Sequence, residues 1–151
     1  VIRFVSGKGA GLLLAAPLLL SATTPPPVFT VQVEVSGLRN AKGVVRACMT
    51  PNRAKFPRCQ GDTTAFAVVK PAADAAQITF ARVPAGHYAI ALLHDENNNG
   101  KADRALSMIP REGFGFSRDA KVVMGPPSFD DAVFEVTGGP HHQTIRMRYM
   151  L

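Results

Sequence analysis

Apolar and polar residues alternate with a period of two over much of this chain. Phe29, Val31, Val33 and Val35 interleave with Thr30, Gln32, Glu34 and Ser36, which predicts a strand buried on one face and wet on the other. Gly37 to Gly43 reads as a turn around Asn40, and Val44 to Met49 as a second strand. Ala65 to Val69 and Gln77 to Val83 supply a third and a fourth, and Pro84-Ala-Gly86 is a tight turn. His87 to His94 follows as a strand with Tyr88, Ile90 and Leu92 on one face and Ala89, Ala91 and Leu93 on the other. A strand apolar on both faces belongs in the middle of a covered sheet. Lys121 to Met124 predicts a short strand, and Asp131 to Thr137 and Thr144 to Met150 close the pattern. Ile145, Met147 and Tyr149 of the last one point away from Thr144, Arg146 and Arg148. Asp95 to Ala120 has no such period and reads as one long loop insertion. A helical turn is expected at most over Ala72 to Gln77. Seven or eight short strands between turn signals predict an all-β fold, an antiparallel Ig-like or transthyretin-like β-sandwich.

The first residues follow a different rule. Arg3 and Lys8 precede the apolar run Gly11 to Leu20, and the small residues Ser21, Ala22, Thr23 and Thr24 follow it. A basic start, an apolar stretch and a small-residue exit are the parts of a secretory signal peptide. The run is short of the ~20 residues that a spanning helix needs, and Pro17 interrupts it; a retained anchor is the alternative. The expected organisation is a leader over 1–24, a proline linker over 25–27 and one domain over 28–151. A periplasmic or secreted location follows, with no stable membrane span once the leader is removed.

Composition narrows the function. At 46% apolar and 19% charged residues the chain is globular, and 7% aromatics with no Trp argue against a broad aromatic binding platform. Loss of Arg3 and Lys8 with the leader lowers the formal charge from +6 to +4. The remaining basic residues do not form a stripe, so nucleic acid is not an expected partner. Cys48 and Cys59 predict a disulfide in an exported chain, worth roughly 3 kcal/mol by loop-closure entropy.

Several stretches resemble known families. Val83-Pro-Ala-Gly-His-Tyr-Ala-Ile90 is similar to the turn-into-strand signature of transthyretin-like and carboxypeptidase-regulatory-like domains. Gly37-Leu-Arg-Asn-Ala-Lys-Gly43, the run from Ala89 to Asp103, Ile109 to Ser117 and Gly125 to Ala132 together resemble the bacterial secreted domain of unknown function DUF2141, from about Val28 to Tyr149. The resemblance implies an exported single-domain protein and supplies no catalytic residues.

The strongest candidate chemistry is Asp95-Glu-Asn-Asn-Asn-Gly-Lys-Ala-Asp103. Numbered as a calcium loop, Asp95 is position one, Asn97 three, Asn99 five, Gly100 six, Lys101 seven through its carbonyl, and Asp103 nine. Leu106 stands at position twelve in place of a bidentate Glu, so Glu112 from the following segment is the candidate to complete the shell. Two charged ligands imply weak calcium binding, on the order of 10⁻⁴ to 10⁻³ M. Successive Asx turns, with no ion, account for the same residues. Glu112, Phe114 and Phe116 form a second candidate, either a recognition edge for a sugar, peptide or cell-envelope component or anchors that pin the loop. His94 is expected to support the ion loop, and His141 and His142 to be exposed turn residues. Hydrolase signatures such as Gly-x-Ser-x-Gly and His-Glu-x-x-His are missing from the sequence. The expectation is therefore a non-catalytic binding or structural module, with a binding adaptor as the alternative and a hydrolase third.

Overall fold

The computed structural model describes residues 24–105 and 109–151. All but the last residue of the expected leader lies outside them, as does Leu106. The strands in chain order are β1 (Val28–Ser36), β2 (Val44–Thr50), β3 (Phe66–Pro71), β4 (Gln77–Pro84), β5 (Gly86–Asp95), β6 (Arg104–Ala105), β7 (Ile109–Pro110), β8 (Gly113–Phe116), β9 (Phe134–Val136) and β10 (His141–Arg146). They form a three-stranded sheet, β10-β1-β4, and a larger one, β3-β2-β5-β8, with β9 paired to the start of β5; β6 and β7 make a separate hairpin. The fold is an all-β sandwich. Among the described residues no helix is long and apolar enough to cross a membrane.

Alternation places the core. Val31, Val33 and Val35 of β1, with Ile78, Phe80 and Val83 of β4 and Ile145 of β10, face Val45, Ala47 and Met49 of β2 and Tyr88, Ile90 and Leu92 of β5. Each of the Val, Ile, Leu, Phe and Met side chains among them contributes about 1.5–3 kcal/mol by leaving water. The second face of β5 is covered over Ala89 and Ala91, while Leu93 is half-buried. Ala89, Ala91 and Phe116 lie under Ala120, Phe129 and Ala132, with Phe56 from the disulfide loop packed against them. Cys48 and Cys59 are bonded, with Cα atoms 6.4 Å apart. The Pro84 to Tyr88 turn is closed by the Tyr88 hydroxyl, which donates to the Pro84 carbonyl at 3.0 Å.

Several details depart from the sequence expectations. One pairing is parallel: β10 runs alongside β1 from Val31 opposite His141 to Ser36 opposite Arg146. The chain leaves the larger sheet at β9 and crosses to the smaller one through Gly138-Gly-Pro140, and local alternation carries no information about strand direction. The last strand begins at His141, three residues early, so His141 and His142 are strand residues. Asp131 to Ala132 is not strand, because Ser128 caps a single helical turn, α1 (Phe129–Ala132), in a capping box with Asp131. Lys121 to Met124 forms no strand either. Val123 is 82% exposed and Met124 wholly so, and Pro126-Pro127 beyond them have no N–H for a ladder.

The expected long insertion is also partly built. It contains β6, β7 and β8, and β8 joins the main sheet beside β5. Its Gly-Phe-Gly-Phe sequence hides the alternation, since the glycines are the inward residues. A Cβ on Gly113 would run into the Tyr149 ring, and one on Gly115 into Ile145 Cγ2. Along the edge of β8 that faces away from β5, Phe114 and Arg148 exchange backbone hydrogen bonds of 3.0 and 2.8 Å, which stitch the two sheets together.

Candidate functional site

The candidate ion loop grows out of the buried end of β5. Asp95 is fully buried at the last position of that strand, opposite Val44. Gly43 must be glycine here: its φ is +64°, and a Cβ would collide with the Asp95 carbonyl. The Asp95 carboxylate accepts from the Asn99 amide at 3.0 Å through Oδ1 and from the Gly100 amide at 2.9 Å through Oδ2. Those bonds bend the chain sharply, with Asn98 at φ +54° and Gly100 at φ +76°. Asn97 Oδ1 accepts from the Asn99 amide and Asn99 Oδ1 from that of Lys101, at 3.1 and 2.8 Å. Both Asn side-chain amides donate to Asp103 Oδ2, at 2.7 and 2.8 Å. Asp95, Asn97, Asn99 and Asp103 are thus drawn together through their side chains, while Gly100 and Lys101 take part only through their backbone amides.

Glu112 closes the ring from beyond the β6–β7 hairpin. It is 5% exposed, and its Oε2 accepts from the Asp103 amide at 3.1 Å. Its Oε1 is buried and has no hydrogen-bond partner. Burial, reinforced by the negative charges of Asp95 and Asp103, pushes the Glu112 carboxyl above the usual glutamate range against the opposing pull of the Asp103 and Glu96 amides. Burial acts the same way on Asp95. There, however, the Arg46 guanidinium and the Gly100 and Asn99 amides outweigh it and hold the carboxyl below the usual range.

Two arginines flank the loop. Arg46 on β2 donates from Nε to Asp95 Oδ2 at 2.6 Å and from Nη2 to Asn98 Oδ1 at 2.8 Å. Arg39, in the β1–β2 turn, pairs with Glu96 at 2.5 Å, and Asn40 holds the other Glu96 oxygen at 2.8 Å. Together they outweigh the burial of the Glu96 carboxyl and hold it below its ordinary range. His94 supports the neighbouring turn. Its Nε2 lies 2.8 Å from the Lys42 carbonyl, which can only accept, so Nε2 carries the proton and Nδ1 accepts from the Tyr149 hydroxyl at 2.7 Å. Sequence reasoning missed Arg39, Arg46 and Tyr149. Each reaches the loop or its supports from a distant part of the chain, where no local spacing points to it.

The second candidate divides. Glu112 turns into the ion loop, and Phe116 is buried in the cluster with Phe56, their ring centres 5.9 Å apart. Phe114 stays half-buried on the outer face of the larger sheet. The His141 ring nitrogen Nε2 lies 2.9 Å from both the amide and the carbonyl of Thr137, within its own turn.

The loop offers hard oxygen donors: three carboxylates in Asp95, Asp103 and Glu112, the Asn amides, and a backbone carbonyl. Among the described residues no three His, Cys, Asp or Glu side chains already converge as a metal centre. The loop instead occupies several of these oxygens with its own amides and with Arg46, and Glu112 Oε1 is buried without a partner. That donor set suits calcium, which takes 6–8 oxygen ligands in flexible geometry.

A family model of uncharacterised proteins conserved in bacteria, DUF2141, matches residues 33–144. The chain belongs to this family. The matched span takes in the candidate loop from Asp95 to Asp103, Glu112, both flanking arginines and the disulfide. No curated protein and no solved structure matches the chain.

Proposed function

We propose that this DUF2141 chain is an exported, non-catalytic binding module whose loop from Asp95 to Glu112 is organised by calcium. The observation that carries the reading is the Glu112 carboxylate, buried inside a loop of oxygen donors with one oxygen unpartnered. An unpaired buried acceptor costs about 1–3 kcal/mol, and a cation shared with Asp95 and Asp103 would remove that cost. Export is supported by the leader pattern at residues 1–24 and by the disulfide, which persists in oxidising compartments. Either the periplasm or the external medium satisfies both. Calcium titration of the purified protein by calorimetry tests the reading. One saturable site in the range of about 10⁻⁴ to 10⁻³ M is expected, lost in Asp103→Ala; no heat at millimolar calcium would refute it.

A second reading has its own observation. Val69, Arg46, Leu93 and Phe114 lie side by side across β3, β2, β5 and β8. Val69 is 53% exposed and Leu93 and Phe114 are half-buried, which leaves a partly apolar strip beside the loop for a sugar, peptide or cell-envelope component. Phe114→Ala should abolish capture of such a ligand in a protein that thermal unfolding shows to be still folded; capture unchanged by the substitution would remove this reading.

A further inference from the structure

One side chain reaches both ends of the loop. Arg39 donates from Nε to Glu96 Oε1 at 2.8 Å, where the loop begins, and from Nη2 to the Arg111 carbonyl at 3.0 Å, where it ends. Nη1 donates to the Leu151 carbonyl at 2.6 Å, and the guanidinium carbon lies 4.5 Å from the centre of the Tyr149 ring. The planar guanidinium holds five donors in a fixed fork, so it can serve these acceptors at once; an ammonium is a point charge on a flexible stem.

We propose that Arg39 is a positioning residue for cation binding: it latches the two ends of the 96–111 loop and couples cation occupancy to Tyr149. This rests on the calcium reading of the same loop. Bringing the ends of a chain segment together has an entropic cost, and a latch already spanning them spares the cation that cost. The coupling is reciprocal, so occupancy tightens what the latch holds. Tyr149 is placed to report and not to ligate. Its hydroxyl is engaged by His94 Nδ1 at 2.7 Å and by the Arg39 backbone amide at 3.2 Å.

The chain has no Trp and two Tyr. Tyr88 sits at the far end of β5, its hydroxyl on Pro84, so Tyr88→Phe leaves Tyr149 as the tyrosine reporter. In that background calcium chloride is titrated with heat and tyrosine emission followed in parallel, and thermal unfolding confirms that each variant is folded. Heat and emission are expected to saturate together. Arg39→Gln is expected to bind roughly tenfold more weakly and to lose the emission response while the heat persists. Arg39→Lys is expected not to restore the response. Asn40→Ala, which frees the second Glu96 oxygen and leaves Arg39 in place, is expected to weaken binding less and to keep the emission change. Should Arg39→Gln fail to fold, Arg39→Lys and Asn40→Ala decide the matter by the same two signals. Unchanged affinity and emission in the Arg39 variants would overturn the latch and leave the cation site standing. No heat in the unmutated protein would overturn the cation site, and the latch with it.

Discussion

Glu112→Gln should make the cation-free protein more stable and its calcium binding weaker, two opposite effects from one atom replaced. Glu112 Oε2 accepts from the Asp103 amide at 3.1 Å, and a glutamine oxygen keeps that bond. The new NH₂ stands where Oε1 has no partner, facing the field of Asp95 and Asp103 that raises this carboxyl. A buried, unpaired polar atom costs about 1–3 kcal/mol, so a gain of ~1 kcal/mol at neutral pH is expected. For a domain of this size that is a rise in Tm of roughly 2–8 °C. The pH dependence follows from the raised carboxyl. Protonated Glu112 is favoured in the folded state, so its stabilising contribution is complete below the ordinary value of 4.5 and is lost as pH rises through the folded value. The advantage of Gln over Glu should therefore appear above that window and vanish below pH 4.5. Thermal unfolding across pH in a chelator, with calorimetric calcium titration at neutral pH, reads both halves. Destabilisation at neutral pH together with unchanged calcium affinity would refute the reasoning.

Arg46→Met strips the partner from a fully buried carboxylate and should cost about 2–4 kcal/mol, read by urea unfolding; because Asp95 is held low, the loss should shrink as pH falls through its folded value, below the ordinary 3.8. Gly115→Ala drives a Cβ into Ile145 and Met147, an overpacking cost of about 1–3 kcal/mol on the same assay; a neutral effect would contradict the glycine-faced strand. Reduction of Cys48–Cys59, or the double Ser variant, should lower stability by roughly 3 kcal/mol in chemical denaturation and leave calcium binding unchanged, since the bond ties the Phe56 loop and not the ion loop.

The sandwich was legible wherever one face is buried and the other wet, as in β1, or where one is buried and most of the other covered, as in β5. Period-two patterning records burial, and burial decides these elements. It failed where something else decides. β8 was hidden because Tyr149 and Ile145 press on its inward face and allow only glycine. Lys121 to Met124 looks like a strand but has Val123 and Met124 in solvent. The parallel partnership of β1 and β10 follows from a crossover, which no local pattern encodes. At the candidate site the reverse holds. Asp95, Asn97, Asn99 and Asp103 declared themselves by local spacing, because a tight loop draws its side chains from near neighbours. Arg46 and Arg39 did not, since they meet the loop only through strand register and the turn after β1.

A crystal structure of the protein grown with calcium chloride puts the central claim to the most direct test. One ion is expected inside the loop, with oxygens of Asp95, Asp103 and Glu112 at about 2.3–2.6 Å and the Asn97 and Asn99 amides rotated away from Asp103. A loop still closed on itself, with both Asn amides on Asp103 and no ion beside Glu112, would contradict it.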